Sequence, residues 1–155
     1  MGEGAHSEGG ACIAYGDFAH AEGKYTKASY SAHAEGEGTK ALGHYSHAEG
    51  SNTEASGNGS HTEGAGTKAT NYYAHVEGEN STAAGRAAHA EGGGTNANGD
   101  YSHAEGIYTV AKGSGAHAEG KSASASGEGA HAEGVGGSGN HVSARSDKKV
   151  YQYTS

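Results

Sequence analysis

A chain of 155 residues with 30 glycines, no proline, no tryptophan and one phenylalanine lacks the bulky apolar groups of an ordinary globular core. Its large aliphatics amount to two Ile, one Leu, one Met and five Val. The net charge of −8 disfavours nucleic acid as a partner, and no apolar run is long enough for membrane insertion.

Such a composition alone points to disorder, but a strict internal period overrules it. Ten times a His is followed two residues later by Glu and three residues later by Gly: His6, His20, His33, His47, His61, His75, His89, His103, His117 and His131. Successive signatures are 14 residues apart, except for a step of 13 between His20 and His33. A repeat this short is one turn of a solenoid. The period starts almost at Met1, so the chain reads as a segment of something longer.

In chain order, the first turn carries Cys12 where later turns have Thr26, Thr39 and Thr53. The cysteine therefore reads as a small interior residue, with no disulfide partner in the chain. The short step falls beside Tyr30. The turn from Gly50 to Gly64, GSNTEASGNGSHTEG, displays the design. Glycine every seven residues and the lack of an apolar seam exclude a coiled coil. Alternation instead puts Thr53, Ala55 and Gly57 on one face of an extended segment, and Ser60, Thr62 and Gly64 on one face of the next. Each turn is thus expected to be two short strands closing on an interior of Ala, Ser, Thr and Gly. Corner glycines would supply positive φ, with Asn71 and Tyr30 standing in where one is missing. Parallel stacking at about 4.8 Å gives a rod of roughly 45–50 Å.

The outward positions of the second strand vary freely, as in Lys27, Lys40, Glu54, Lys68, Thr82, Asn96 and Val110. On the first strand they are His and Glu in every turn. Like charges stacked at about 4.8 Å repel by roughly 1 kcal/mol per pair even in water, so the glutamates need donors nearby. His and Glu on one strand point roughly parallel, which makes a neighbouring chain the expected source of partners.

The pattern G-x-x-[ST]-x-A-x-G-x-x-[AS]-H-A-E-G, over about residues 4–134, resembles the head repeat of trimeric autotransporter adhesins. Its HAEG-rich form is similar to segments of phage and prophage tail fibres. The resemblance implies an all-β, left-handed parallel β-roll over residues 1–134 that assembles as a homotrimer. His and Glu would then fill the slots of the trimer core, held in the family repeat by Val and Ile. The expected interface comprises His20, Glu22, His33, Glu35, His47, Glu49, His61, Glu63, His75, Glu77, His89, Glu91, His103, Glu105, His117, Glu119, His131 and Glu133. It further implies a structural shaft or head segment mediating host-cell attachment, on a virion tail or at a cell surface. The alternatives are a bacterial adhesin head binding matrix or glycan, and a pH-sensitive or metal-binding filament.

Among chemical readings, a hydrogen-bonded His–Glu network is preferred over a metal set, because no turn departs from the rest. No cofactor is expected beyond an adventitious axial ion, and no privileged nucleophile or base suggests an enzyme. Two residues before each signature His, large and small residues alternate: Phe18, Ser31, Tyr45, Gly59, Tyr73, Ala87, Tyr101, Gly115. The rings Phe18, Tyr45, Tyr73 and Tyr101 form a stripe that covers a corner or contacts a cell-surface polysaccharide. After Gly134 the period decays, leaving 135–155 as an irregular cap or the start of a following segment. This part holds a basic cluster of Arg145, Lys148 and Lys149 and a short strand expected near Val150 to Tyr153. Acid is expected to loosen the trimer, since charged His would repel along the axis.

Overall fold

The computed structural model describes residues 2–136 and the backbone of two further strands, Val142–Ala144 and Lys149–Gln152. It is an all-β parallel solenoid of about nine 14-residue turns. A typical turn contributes a longer strand from the signature, such as His47–Ser51, and a two-residue strand, such as Glu54–Ala55, although the signature strand His61–Thr62 is itself only two residues long. The longer strands stack into an 11-stranded sheet and the shorter ones into a 10-stranded sheet. No helix among the described residues is long and apolar enough to cross a membrane.

The 14-residue period sets the register, so like meets like: His33 pairs with His47, Glu35 with Glu49 and Gly36 with Gly50. The short step does not disturb it. His20 still pairs with His33 and Lys27 with Lys40. The missing residue comes out of the corner between Lys27–Ala28 and His33–Glu37, where Tyr30 lies.

The interior is built from the columns that alternation selects. Thr53, Ala55, Ser60 and Thr62 are all buried, as expected. Gly64 is exposed instead, because the chain has already turned the corner there, at φ 102°. Val76 is the largest fully buried side chain among the described residues, so the two sheets enclose a thin interior of small side chains. Serine is admitted beside the histidine because its hydroxyl is satisfied locally: Ser46, Ser60 and Ser102 each donate to the carbonyl three residues earlier, at 2.6 Å. Cys12 is half-buried against the first alanine column, its thiol 3.2 Å from the Gly23 carbonyl.

Two kinds of corner glycine do different jobs. The signature glycine, for example Gly50 at φ 105°, takes a conformation that L side chains avoid, and a Cβ there would strike the Gly64 carbonyl. Gly43 has no positive φ, yet a Cβ would meet the backbone of Gly57 in the next turn. Close approach of turns, not backbone sign, reserves that position for glycine. Neither Asn71 nor Tyr30 is left-handed. The left-handed residue of the second corner lies further along, at Tyr45 (φ 58°), Tyr73 (φ 57°) or Ser31 (φ 49°). Asn71 works through its side chain, accepting the Tyr72 amide at 2.9 Å and donating to the Ala84 carbonyl at 3.2 Å.

Beyond Gly136, the strand Val142–Ala144 pairs with Ala123–Ala125, and Lys149–Gln152 pairs with His131–Val135. The strand expected near Val150 to Tyr153 thus runs Lys149–Gln152, with Tyr153 outside the described residues. The side chains of the basic cluster of Arg145, Lys148 and Lys149 also lie outside them.

Candidate functional site

After the first turn, where Ser7 stands between His6 and Glu8, the longer strands send Ala, Thr or Val inward between each signature His and Glu, so both polar side chains face out from the 11-stranded sheet. In-register pairing turns ten histidines into one ladder. Ring centroids of successive histidines are 4.7–5.0 Å apart. From His61 to His117 the rings are nearly parallel, with interplanar angles of 4–7°. The step from His47 to His61 is tilted by 42°.

Although His and Glu on one strand point roughly parallel, most pairs come within 4.0 Å of each other. Residues i and i+2 stand about 6.6 Å apart on the same side of a strand, and the two chains are long enough to lean together. His47 Nε2 is 3.1 Å from Glu49, His20 3.4 Å from Glu22, and His33 3.6 Å from Glu35. Further along, His103 is 3.6 Å from Glu105, His89 3.8 Å from Glu91, and His75 4.0 Å from Glu77. His131 instead reaches Glu119 of the preceding turn, at 3.2 Å. His61 lies with His47 and Glu49, His117 with His103 and Glu105, and Glu133 with Glu119 and His131. Glu63 faces His61 and His75 closely enough to raise the proton affinity of both.

Proximity does not complete the hydrogen bonds. His6, His47 and His131 meet their glutamates with hydrogen-bonding geometry. At seven other signature histidines, from His20 to His117, Nε2 is shielded from solvent and has no hydrogen-bond partner within the described residues. A buried polar atom left without a well-aligned partner is costly.

Burial holds the imidazoles of His33, His61 and His75 below their ordinary value of 6.5. The next-largest cause is the neighbouring imidazole, which resists a second positive charge one strand away. Nearby glutamates oppose this without cancelling it. At neutral pH these rungs are therefore neutral rings beside carboxylates rather than full ion pairs.

The aromatic stripe lies at the second corner. Phe18, Tyr45, Tyr73 and Tyr101 are well exposed, Tyr45 most of all at 74%. All four are left-handed. The ring of Tyr73 lies over Gly59, where a Cβ would come within 2.8 Å of Cδ1. Phe18 covers Gly4 in the same way, at 3.0 Å. Phe18 and Tyr73 thus pack over a bare backbone in the preceding turn, whereas Tyr45 and Tyr101 follow the small side chains of Ser31 and Ala87.

Sequence reasoning missed a second such position. Tyr25 and Tyr108 occupy the first corner with φ of 59° and 55°, and the Tyr108 ring covers Gly94. The signal was present five residues after each His, where Ala11, Tyr25, Gly38, Asn52, Gly66, Asn80, Gly94 and Tyr108 follow one another. Also missed was a cap that joins turns. Asp17, Asn58 and Asp100 each accept the backbone amide of the residue 14 earlier, at 2.8–3.1 Å. On the shorter strands, Lys27, Lys40 and Lys68 line an open groove of about 510 Å³ with Tyr25 and Glu54.

No family model matches the chain, and no curated protein matches it.

Proposed function

We propose that this chain is a shaft or head segment of a homotrimeric fibre, with left-handed rolls packed so that their His–Glu sheets face the threefold axis. The observation that carries this reading is the asymmetry of the two outer faces. One varies along the chain, while the other is invariant His and Glu and holds shielded Nε2 atoms with no hydrogen-bond partner among the described residues. Facing sheets from two other chains supply acceptors in the same register, because all three ladders share one axial spacing. A solvated monomer face would have no reason to stay uniform while its neighbours drift.

Such a rod acts in attachment. We assign it to a tail fibre of a phage or prophage, extending toward a host-cell surface. The well-exposed rings of Phe18, Tyr45, Tyr73 and Tyr101 recur every second turn, about 9.6 Å apart, and favour side-on stacking of a cell-surface polysaccharide. That feature equally fits a bacterial adhesin head binding glycan.

Light scattering coupled to size exclusion at neutral pH tests the assembly. The expected mass is three times the 15.3 kDa of the chain. A monomer across the accessible concentration range would overturn the trimer and the axial role of the His–Glu face.

A further inference from the structure

The ladder holds donors in a spacing that suits a different occupant. Metal–ligand bonds of about 2.0–2.2 Å put two donors on one tetrahedral ion roughly 3.0–3.6 Å apart. The Nε2-to-carboxylate separations of His47–Glu49 at 3.1 Å and His103–Glu105 at 3.6 Å already match that bite. A third donor comes from the next turn. In His47–Glu49–His61, His75–Glu77–His89 and His103–Glu105–His117, one atom from each residue lies within 4.8 Å of the other two. Parallel rings one strand spacing apart keep their nitrogens slightly too distant, since two bonds span at most about 4.2 Å. Rotating one ring closes the gap. The step from His47 to His61, tilted by 42°, has already left parallel stacking. The His6–His20 step is tilted too, at 50°, but among the candidate groups with two histidines the uniformity that argued against a dedicated site is broken at this turn alone.

We propose that the His–Glu face binds divalent transition-metal ions of the zinc and nickel class. Three of the ions are held by histidines of two successive turns and the glutamate between them, the fourth by Glu119, His131 and Glu133, and His47–Glu49–His61 fills first. Two imidazoles and a carboxylate suit zinc, nickel, cobalt or copper, and leave a fourth position for water. Magnesium and calcium, which demand all-oxygen sets, are excluded by the same donors. A stoichiometry follows. Five candidate groups occur among the described residues, and four share no residue: the three above and Glu119–His131–Glu133. The fifth, His89–Glu91–His103, borrows a histidine from each neighbour. Saturation therefore comes at about four ions per chain, the first three at every second turn, which keeps those dications two strand spacings apart. All donors of a site belong to one chain, so the proposal does not rest on the trimer.

The test is calorimetric titration of chelator-treated, dialysed full chain with zinc chloride at neutral pH. Metal analysis and light scattering follow on the gel-filtered product. The expected result is about four zinc ions per chain with one binding step tighter than the rest, and no uptake of magnesium. His61→Gln and, separately, Glu49→Gln remove that tight step and one ion while circular dichroism stays unchanged, because both side chains face outward. Uptake below one ion per chain in molar excess of zinc overturns the proposal. So does a tight step that survives both substitutions. A trimer without zinc defeats only the metal, and a zinc-loaded monomer defeats only the trimer.

Discussion

At the scale of single residues, the fold depends on where a Cβ is forbidden. Gly50 and Gly93 are both glycines of the longer strands, yet their surroundings differ. Gly50 has φ 105° and faces the Gly64 carbonyl. Gly93 has no positive φ, and a Cβ there meets nothing within 4 Å. Gly50→Ala is expected to cost about 2 kcal/mol or more, from backbone strain and a steric clash that neither turn can relieve alone. Gly93→Ala is expected to gain about 0.5 kcal/mol by restricting the unfolded chain. Urea midpoints read by circular dichroism separate the two, and equal shifts would refute the contact argument. The need for a glycine at Gly50 was legible from the period. The left-handed Tyr73 was not, because that conformation is ordinarily signalled by Gly or Asn, and here a ring lying over Gly59 offsets its strain.

At the scale of the element, the unit is the whole turn. Every strand pairs only with its equivalents in adjacent turns, so stability is a sum of near-identical interfaces. Deleting residues 65–78 removes one complete turn and restores a step of 14 between His61 and His89. The shortened chain is expected to keep its far-ultraviolet spectrum and cooperative melt, with a modestly lower Tm. Deleting residues 65–71 sets a longer strand against the wrong half-turn, and cooperative unfolding should vanish. Equal behaviour of the two would mean that register is not set by the 14-residue period. That period made the strand faces readable, because a column repeated in register, such as Thr39, Thr53 and Thr67, reveals its environment through what it never admits. The cap from Asp17, Asn58 and Asp100 was harder to read. It recurs irregularly and acts across turns, so no local pattern announces it.

At the scale of the molecule, three imidazoles within one ladder are expected to make the rod sensitive to acid. The sequence supplied the ladder, but not the sign of its titration, which depends on how deeply the rings sit and how near their neighbours stand. His33, His61 and His75 are held below 6.5 by burial first and by adjacent imidazoles second. The folded chain therefore binds fewer protons at these sites than the unfolded chain does as pH falls through 6.5. Their contribution to stability is fully present above that value and is lost progressively below it, toward the lowered folded values. The glutamates beside them, Glu35, Glu49, Glu63, Glu77 and Glu91, work in the opposite direction and lose. Metal-free protein in the presence of a chelator should thus show a constant Tm from pH 8 to 7 and a falling one from pH 6.5 to 5. Replacing His33, His61 and His75 together by Gln should flatten that slope, since the amide fills similar space without titrating. A slope that persists in the triple variant would assign the acid response to other groups, and a flat profile in the parent chain would show that the ladder admits protons as readily folded as unfolded.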